Sequence, residues 1–138
     1  MKRTAKAHWA GNLKEGKGEL TTPSGILNKT NYSFKTRFTG EETGTNPEEL
    51  LAAAHAGCFT MAVSAALTEK GLSPTALDTE ATVIMEGFAI VAVHLNITGT
   101  VSDISAEDFE AVTKAAEQNC LISKVLNVPI SSEAYFIS

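Results

Sequence analysis

The chain has 138 residues, of which 43% are hydrophobic and 20% are charged, as in an ordinary globular protein with enough residues to bury a core. Sixteen acidic residues against eleven basic ones give a net charge of −5, and without any basic run this charge argues against nucleic acid as a partner. The sequence shows neither a signal peptide nor an apolar run long enough to cross a membrane. We therefore expect a single domain, residues 1–138, in the cytoplasm and without a membrane partner.

The first part of the chain predicts three short strands. Lys2–Trp9 alternates loosely, and Lys17–Thr22 is a second short segment that ends at a Pro-Ser-Gly turn signal. Tyr32–Phe38 places its aromatic side chains on one face of a strand and Arg37 on the opposite, polar face.

The longest predicted element is a helix over Thr45–Leu67. Asn46 is a good N-cap, Pro47 suits the first helical position, and Glu49 completes an N-x-x-E capping box. The interior is mostly Ala, Leu and Met, which favour helix, and Cys58 lies in its middle among small side chains. Because so few of its residues are polar, we expect a central, buried helix.

The second half of the chain predicts a hairpin, further helix and a last strand. Thr75–Met85 and Phe88–Val101 alternate on either side of a Glu-Gly turn. A capping signature precedes a helix over Ala106–Asn119, and Ile122–Leu126 can form one more helical turn. Ile130–Ile137, after a proline, is the last strand.

This order of elements indicates an α+β domain with a mainly antiparallel sheet. A single chain of this length can hardly enclose a central helix so rich in Ala and Gly. We therefore expect a homodimer in which two such helices are enclosed by two sheets.

Two cysteines are the first candidates for chemistry. Cys58 is either a small buried residue, as free cysteines often are, or a thiolate nucleophile. A free thiol is mostly protonated at neutral pH, and a guanidinium nearby favours the thiolate without giving up a proton of its own. Arg37 is the candidate for that role; otherwise it is a solvated charge on a strand. Cys120 is either a buried thiol at a helix end or the partner that resolves an oxidised Cys58.

Glu48 is a second candidate, although a carboxylate in the first turn of a helix is also favoured by the helix dipole alone. It lies ten positions before Cys58, so a straight helix separates the two by roughly 15 Å. The two cannot share a site within one helix unless the helix breaks. In a dimer, Arg37 and Glu48 of one chain can form a half-site that faces Cys58 of the other.

The histidines are weaker candidates for a functional site than the cysteines. His55 lies three residues before Cys58 and therefore near the same face, where it is either a base or a core histidine. A Cys58–His55 pair would indicate a cysteine hydrolase, but no third orienting residue is apparent. Two cysteines and three histidines show no zinc-site spacing, so we expect no metal.

The helix motif N-P-E-E-L-L-A-A-A-H-A-G-C-F, with T-R-F before it and a second cysteine late in the chain, resembles the OsmC/Ohr superfamily of organic hydroperoxide reductases. The opening A-H-W-A-G-N-L-K-E-G-K-G and the later T-P-S-G-I-L-N resemble its OsmC branch. The similarity runs from about His8 to Tyr135.

The resemblance implies an OsmC-like intertwined homodimer, with antiparallel sheets wrapped around two central helices, and thiol-dependent peroxidase activity. It places the peroxidatic cysteine on Cys58, the resolving cysteine on Cys120, the family arginine on Arg37 and the family glutamate on Glu48. One departure is Leu121, where members of the family often have a proline directly after the resolving cysteine.

We therefore expect an enzyme that reduces organic hydroperoxides, with hydrogen peroxide as a further substrate, through a Cys58 sulfenic acid and a Cys58–Cys120 disulfide. An external dithiol, for which the resemblance suggests a lipoyl-type compound, would regenerate the thiols, and no cofactor is required. The alternative is a non-catalytic dimeric stress-response protein that binds an apolar ligand. Apolar neighbours in sequence predict an apolar entrance to the Cys58 site: Leu50, Leu51, Phe59, Met61 and Val63.

Overall fold

The computed structural model describes residues 1–138 and contains six strands and four helices, in the mixed arrangement of an α+β fold. In chain order the elements are β1 (Lys6–Ala10), β2 (Lys17–Thr21), β3 (Thr30–Tyr32), α1 (Phe34–Phe38), α2 (Pro47–Glu69), β4 (Ala76–Glu86), β5 (Ala89–Thr100), α3 (Ala106–Asn119), α4 (Leu121–Val125) and β6 (Ile130–Ile137). The internal contacts divide the chain into two compact units, Met1–Leu50 and Leu51–Ser138. The expectation of one domain over residues 1–138 stays a prediction.

The first unit contains an antiparallel sheet with the strand order β1-β2-β3. Its aromatic residues Trp9 and Tyr32 lie across the central strand, with ring centroids 5.5 Å apart. Gly18 lies between them, and a Cβ at this position would come within 2.4 Å of the Tyr32 ring and 2.7 Å of the Trp9 ring. The absence of a side chain at Gly18 therefore allows the two rings to approach each other.

The predicted third strand, Tyr32–Phe38, is wrong beyond Tyr32, because the chain turns there into helix α1. Ser33 caps this helix: its hydroxyl accepts from the Thr36 amide at 3.1 Å, and the Thr36 hydroxyl accepts from the Ser33 amide at 2.7 Å. Phe34 and Phe38 are four residues apart, which places them on one helix face with ring centroids 5.0 Å apart. Arg37 therefore lies on a short helix and not on a strand.

Helix α2 begins as predicted, since the Asn46 side chain accepts from the Glu49 amide at 2.8 Å. The return bond of the predicted capping box is different: the Glu49 carboxylate accepts from the Thr45 hydroxyl at 2.8 Å. Within the second unit one stripe of α2, with a residue in every fourth position, is fully buried. These residues are His55, Phe59, Val63 and Leu67.

The rest of α2 is less buried than the sequence led us to expect, and Met61 is 75% exposed. By length and composition the helix is also long and apolar enough to cross a membrane, contrary to the expectation from its sequence. The core helix of a soluble protein passes the same test, so a single such helix is weak evidence for a membrane span.

The second unit contains a sheet with the strand order β4-β5-β6. The predicted hairpin is present, as β4 and β5 pair antiparallel along nearly their whole length. β6 instead pairs parallel to β5, because the chain returns through α3 and α4 before it re-enters the sheet. The sheets are therefore mainly but not wholly antiparallel. The core of this unit joins the buried stripe of α2 to one face of β5 and of α3, and its further members are Val93, Leu95, Ile97, Val101, Phe109, Val112, Ala116 and Cys120.

The contact between β5 and α3 gives a test of this packing. A Cβ added at Gly99 would come within 2.3 Å of the buried Phe109 ring, so we expect Gly99→Ala to lower the free energy of unfolding by about 1–3 kcal/mol through overpacking. Chemical denaturation measures this change. Thr82→Ala, at an exposed position of β4, is the control and should lower it by less than about 1 kcal/mol. Equal stability of the two variants would contradict the packing described.

Candidate active site

Arg37 and Glu48 form a bidentate ion pair within the first unit. The Glu48 Oε1 atom accepts from Arg37 Nη2 at 2.7 Å and from Nε at 2.9 Å, and Oε2 lies 3.2 Å from Nε. Glu48 comes from the first turn of α2 and is only 8% exposed, whereas 42% of the Arg37 side chain is exposed. These three hydrogen bonds fix the plane of the guanidinium and leave part of it free to bind an anion or a polarised oxygen.

An apolar pocket of about 310 Å³ lies beside this guanidinium. It is lined by Trp9, Leu13, Tyr32, Ser33, Phe34, Arg37 and Phe38. The Phe38 ring also lies under the Arg37 guanidinium, with 5.1 Å between the guanidinium carbon and the ring centroid. The pocket therefore combines an apolar wall with one positive group, which suits a ligand with a polar head and an apolar body.

A larger depression of about 580 Å³ in the same unit has a different character. Its charged lining residues are Lys14, Glu15, Lys17, Lys35, Glu41 and Glu42. Because this lining is rich in charges of both signs, the smaller aromatic pocket is the better site for an apolar molecule.

Cys58 and Cys120 meet in the second unit, and both are free thiols. Cys58 lies on α2 and is half-buried, whereas Cys120 follows α3 and is 1% exposed. The Cys58 side chain lies close enough to the Cys120 thiol to lower its pKa. Two residues 62 positions apart are thus side by side, although their spacing in the sequence gives no sign of it.

The Cys120 sulfur also caps α4 and accepts from the Ser123 amide at 3.5 Å. Burial raises the pKa of the Cys120 thiol, but hydrogen bonds from the Ser123 amide and hydroxyl, the Cys58 thiol and the Ile122 amide together lower it further than burial raises it. The net effect is a pKa of the Cys120 thiol below its ordinary value.

His55 is fully buried, and its Nε2 atom lies 2.7 Å from the Ser123 hydroxyl. Its Nδ1 atom has no hydrogen-bond partner, and burial lowers the pKa of the ring. The hydrogen bond of this histidine is thus to Ser123 and not to Cys58, so the geometry does not support a hydrolase in which His55 activates Cys58.

The predicted apolar entrance needs correction. Phe59 and Val63 are fully buried in the core, so neither can line an opening to solvent, and only Met61 among the predicted residues is strongly exposed. The aromatic pocket beside Arg37 was not predicted, because its walls come from β1, the loop after it, β3 and α1. The sequence signal that could have indicated this pocket is the four-residue spacing of the phenylalanines of α1, which is typical of one face of a helix. No group of three or more His, Cys, Asp or Glu side chains is arranged to hold a metal ion.

Comparison with known proteins identifies the family. A family model described as OsmC-like protein matches residues 40–133. The peroxiredoxin OsmC of Escherichia coli is 45% identical over 133 residues, which cover 94% of this chain and 92% of that protein.

The structure of the organic hydroperoxide resistance protein OhrB of Bacillus subtilis aligns with a TM-score of 0.64 at 22% identity, covering 97% of this chain and 98% of that one. An OsmC-like protein of unknown function from Vibrio cholerae aligns with a TM-score of 0.76 at 16% identity, covering 97% and 99%. The two solved structures share the fold, and the family model and the Escherichia coli relative show that the chain belongs to the OsmC family.

The Arg37–Glu48 ion pair predicts that Arg37→Met lowers the stability of the protein more than Lys35→Met does. Arg37→Met leaves the buried Glu48 carboxylate without its main donors, so we expect the free energy of unfolding to fall by about 1–3 kcal/mol. Lys35→Met is the matched control, because Lys35 lies on the same helix in an exposed pair with Glu42 at 3.8 Å, and its loss should change stability by less than about 1 kcal/mol. Equal losses in urea denaturation would show that the Arg37–Glu48 contact contributes no more than a surface pair.

The buried histidine predicts how stability depends on pH. Because the pKa of His55 is lower in the folded protein than in the unfolded chain, the unfolded state takes up a proton first as the pH falls below about 7. The free energy of unfolding should therefore decrease with falling pH by up to about 1.4 kcal/mol per pH unit, until the folded protein also binds a proton. Urea denaturation at several pH values measures the slope. It should become smaller in His55→Gln and persist in His94→Gln, and an unchanged slope in His55→Gln would assign the pH dependence to other groups.

Proposed function

We propose that the protein is a cysteine-based peroxidase that reduces organic hydroperoxides to alcohols through Cys58 and Cys120. The observation that carries this proposal is the proximity of the two thiols, which is close enough for Cys58 to lower the pKa of Cys120, since a sulfenic acid on one sulfur would form within reach of the other. The names of two relatives support it: the Escherichia coli protein is a peroxiredoxin, and the Bacillus subtilis protein is an organic hydroperoxide resistance protein.

In the first step the Cys58 thiolate attacks one oxygen of the hydroperoxide. The S–O bond forms as the O–O bond breaks, the alkoxide takes a proton and leaves as the alcohol, and Cys58 becomes a sulfenic acid. The Arg37 guanidinium has the chemistry to bind the peroxide oxygens and to stabilise negative charge on the thiolate and on the leaving oxygen. Glu48 would hold that guanidinium in one orientation through its three hydrogen bonds.

In the second step Cys120 displaces hydroxide from the sulfenic acid and forms the Cys58–Cys120 disulfide. An external dithiol then reduces the disulfide by two exchange reactions, and a lipoyl-type dithiol is the candidate reductant. A reducing cytoplasm is the compartment that would keep both thiols free between turnovers.

We further propose that the working form is a homodimer. Glu48 and Cys58 are ten residues apart on one continuous helix, so a second copy is the simplest source of an Arg37–Glu48 pair that faces Cys58. The exposed Met61 and the limited burial of α2 in the single chain favour the same arrangement, because an apolar helix is expected to be covered.

The aromatic pocket beside Arg37 supports organic hydroperoxides as the preferred substrates. An alkyl or aryl group has apolar surface to bury against Trp9, Phe34 and Phe38, whereas hydrogen peroxide has none. We expect a larger kcat/KM for cumene hydroperoxide than for hydrogen peroxide.

The same pocket keeps a second function under consideration, a non-catalytic stress-response protein that binds an apolar ligand. That function predicts ligand binding without consumption of peroxide, and it assigns no chemistry to the contact between the cysteines. The peroxidase is favoured because the pocket alone does not explain why two thiols are brought together.

Peroxide consumption with three proteins tests the proposal. With cumene hydroperoxide and dihydrolipoamide we expect sustained turnover by the wild type, none by Cys58→Ser, and about one equivalent consumed by Cys120→Ser, because its sulfenic acid cannot form the internal disulfide. His94→Gln, which changes an imidazole outside the candidate site, is the control for a surface substitution and should turn over like the wild type. If the wild type is as inert as Cys58→Ser with this dithiol and with dithiothreitol, the binding function replaces the peroxidase.

A further inference from the structure

The Cys120 sulfur is the end of a chain of hydrogen bonds that the expected two-cysteine reaction does not use. His55 contacts the Ser123 hydroxyl at 2.7 Å, and the Ser123 amide donates to the Cys120 sulfur at 3.5 Å. The Ser123 hydroxyl is also close enough to lower the pKa of the Cys120 thiol. His55 and Ser123 are 68 positions apart in sequence, and His55 is fully buried while Ser123 is 9% exposed. Two buried polar side chains from α2 and α4 therefore meet behind the sulfur.

The burial of His55 indicates the direction of these bonds. A neutral imidazole carries one N–H, and Nδ1 has no partner, so placing the hydrogen on Nδ1 would leave an unpaired N–H in the core. The pairing therefore assigns the hydrogen to Nε2, which donates to the Ser123 oxygen. The Ser123 hydroxyl then has its own hydrogen free to donate to the Cys120 sulfur.

The groups around the Cys120 sulfur all act as donors to it. The Cys58 thiol comes from α2, and the Ser123 hydroxyl and the amides of Ser123 and Ile122 come from α4. The charged residue of α3 closest in sequence is Glu117, whose carboxylate is bound by Ser132, Lys114 and Gln118. Once Cys58 has been oxidised its thiol hydrogen is gone, and the Ser123 hydroxyl and the amides of Ser123 and Ile122 remain to stabilise negative charge on the Cys120 sulfur.

We propose that His55 and Ser123 are positioning residues that hold the Cys120 sulfur in its nucleophilic, hydrogen-bond-accepting form, and that they thereby set the rate of disulfide formation and not the rate of reaction with hydroperoxide. This inference rests on the proposed peroxidase function for its place in the reaction. His55 acts through Ser123. Its hydrogen bond fixes the position of the Ser123 hydroxyl oxygen, so that the hydroxyl hydrogen points at the Cys120 sulfur.

The step that they assist is balanced as follows. The Cys120 thiolate donates an electron pair to the Cys58 sulfur, and the S–S bond forms as the S–O bond of the sulfenic acid breaks. The Cys58 sulfur formally gains one electron and the Cys120 sulfur loses one. Hydroxide leaves and takes a proton from solvent to become water, so His55 does not need to accept or donate a proton.

This role differs from that of a general base. A base must take up a proton, but a protonated His55 would place a charge in the core with its Nδ1–H unpaired. The burial that lowers the pKa of this ring keeps it neutral and therefore suited to donate one directed hydrogen bond.

A first experiment measures Cys120 without any peroxide. In the Cys58→Ser protein, where Cys120 is the only thiol, the ultraviolet absorbance of the thiolate is followed against pH. We expect the titration to move to higher pH when Ser123→Ala or His55→Phe is added. Ser123→Thr, which keeps the hydroxyl, and His55→Gln, which keeps a donor near the Nε2 position, should stay near the parent. An unchanged titration in folded Ser123→Ala would overturn the proposal whatever the protein does with peroxides.

A second experiment separates the two chemical steps in the protein with both cysteines. Reduced protein is mixed with one equivalent of cumene hydroperoxide and quenched at increasing times, with dimedone to trap the sulfenic acid and alkylation to count free thiols. For Ser123→Ala we expect peroxide loss within about twofold of the wild type and disulfide formation slower by about tenfold or more, with Cys58 sulfenic acid accumulating. Disulfide formation as fast as in the wild type would overturn the proposal. Failure of the wild type to consume peroxide would instead overturn the proposed function, while the first experiment still reports on Cys120.

Discussion

The regular spacing of side chains along α2 is the constraint on which the rest of the second unit depends. Residues four apart lie on one side of a helix, and this places His55, Phe59, Val63 and Leu67 in a single buried stripe. The three apolar members pack into the core and fix the rotation of the helix about its axis. With that rotation fixed, Cys58, three residues after His55, is held at the edge of the core where it reaches Cys120.

Hydrogen bonds outweigh burial at the Cys120 sulfur. Burial disfavours a thiolate, because an isolated charge loses its water, but each hydrogen bond to a charged acceptor contributes about 1.5–3 kcal/mol. Several donors are directed at this one sulfur, and their sum is larger than the effect of burial. The Arg37–Glu48 pair differs, because here the buried charge of the Glu48 carboxylate is stabilised by a charged group, the Arg37 guanidinium, which remains partly in water. Neutral hydrogen-bond donors thus act on the Cys120 thiol in the second unit, whereas in the first unit a carboxylate orients a cation.

The elements that the sequence predicted correctly are those determined by local signals. The start of α2 depends on the Asn46 cap, and the β4–β5 hairpin on alternation around a two-residue turn, and both signals lie within a few residues. The segment after Tyr32 was misread because aromatic residues at positions 32, 34 and 38 fit a strand with period two and also a helix with an i, i+4 pair. The capping box of Ser33 decides between them, and S-x-x-T is a weaker signal than S-x-x-E.

Contacts between segments that are distant in the chain could not be predicted from the sequence alone. The parallel pairing of β6 with β5 depends on how α3 and α4 return the chain, and alternation within β6 fits either direction of pairing. The candidate residues Cys58, Cys120, Arg37 and Glu48 were named from their chemistry and from resemblance, and the structure adds that they form two contacting pairs. Ser123 was missed, although C-x-x-S before a short helix has the spacing of an N-cap and its third helical residue, which would have placed it beside the Cys120 sulfur.

The residue after Cys120 shows how the cap and the chemistry are linked. A proline at the first position of a helix has its backbone already set for the helix and lacks the amide that would need a partner there. Leu121 occupies this position in α4 and is 72% exposed, so its amide and side chain add little that would hold the turn in place. The hydrogen bond from the Ser123 amide to the Cys120 sulfur therefore contributes more to holding the first turn of α4 in place than it would if position 121 were a proline. In the proposed mechanism that sulfur enters a disulfide and becomes a weaker acceptor than a thiolate, so we expect oxidation to loosen the first turn of α4 and to expose the disulfide to the proposed dithiol.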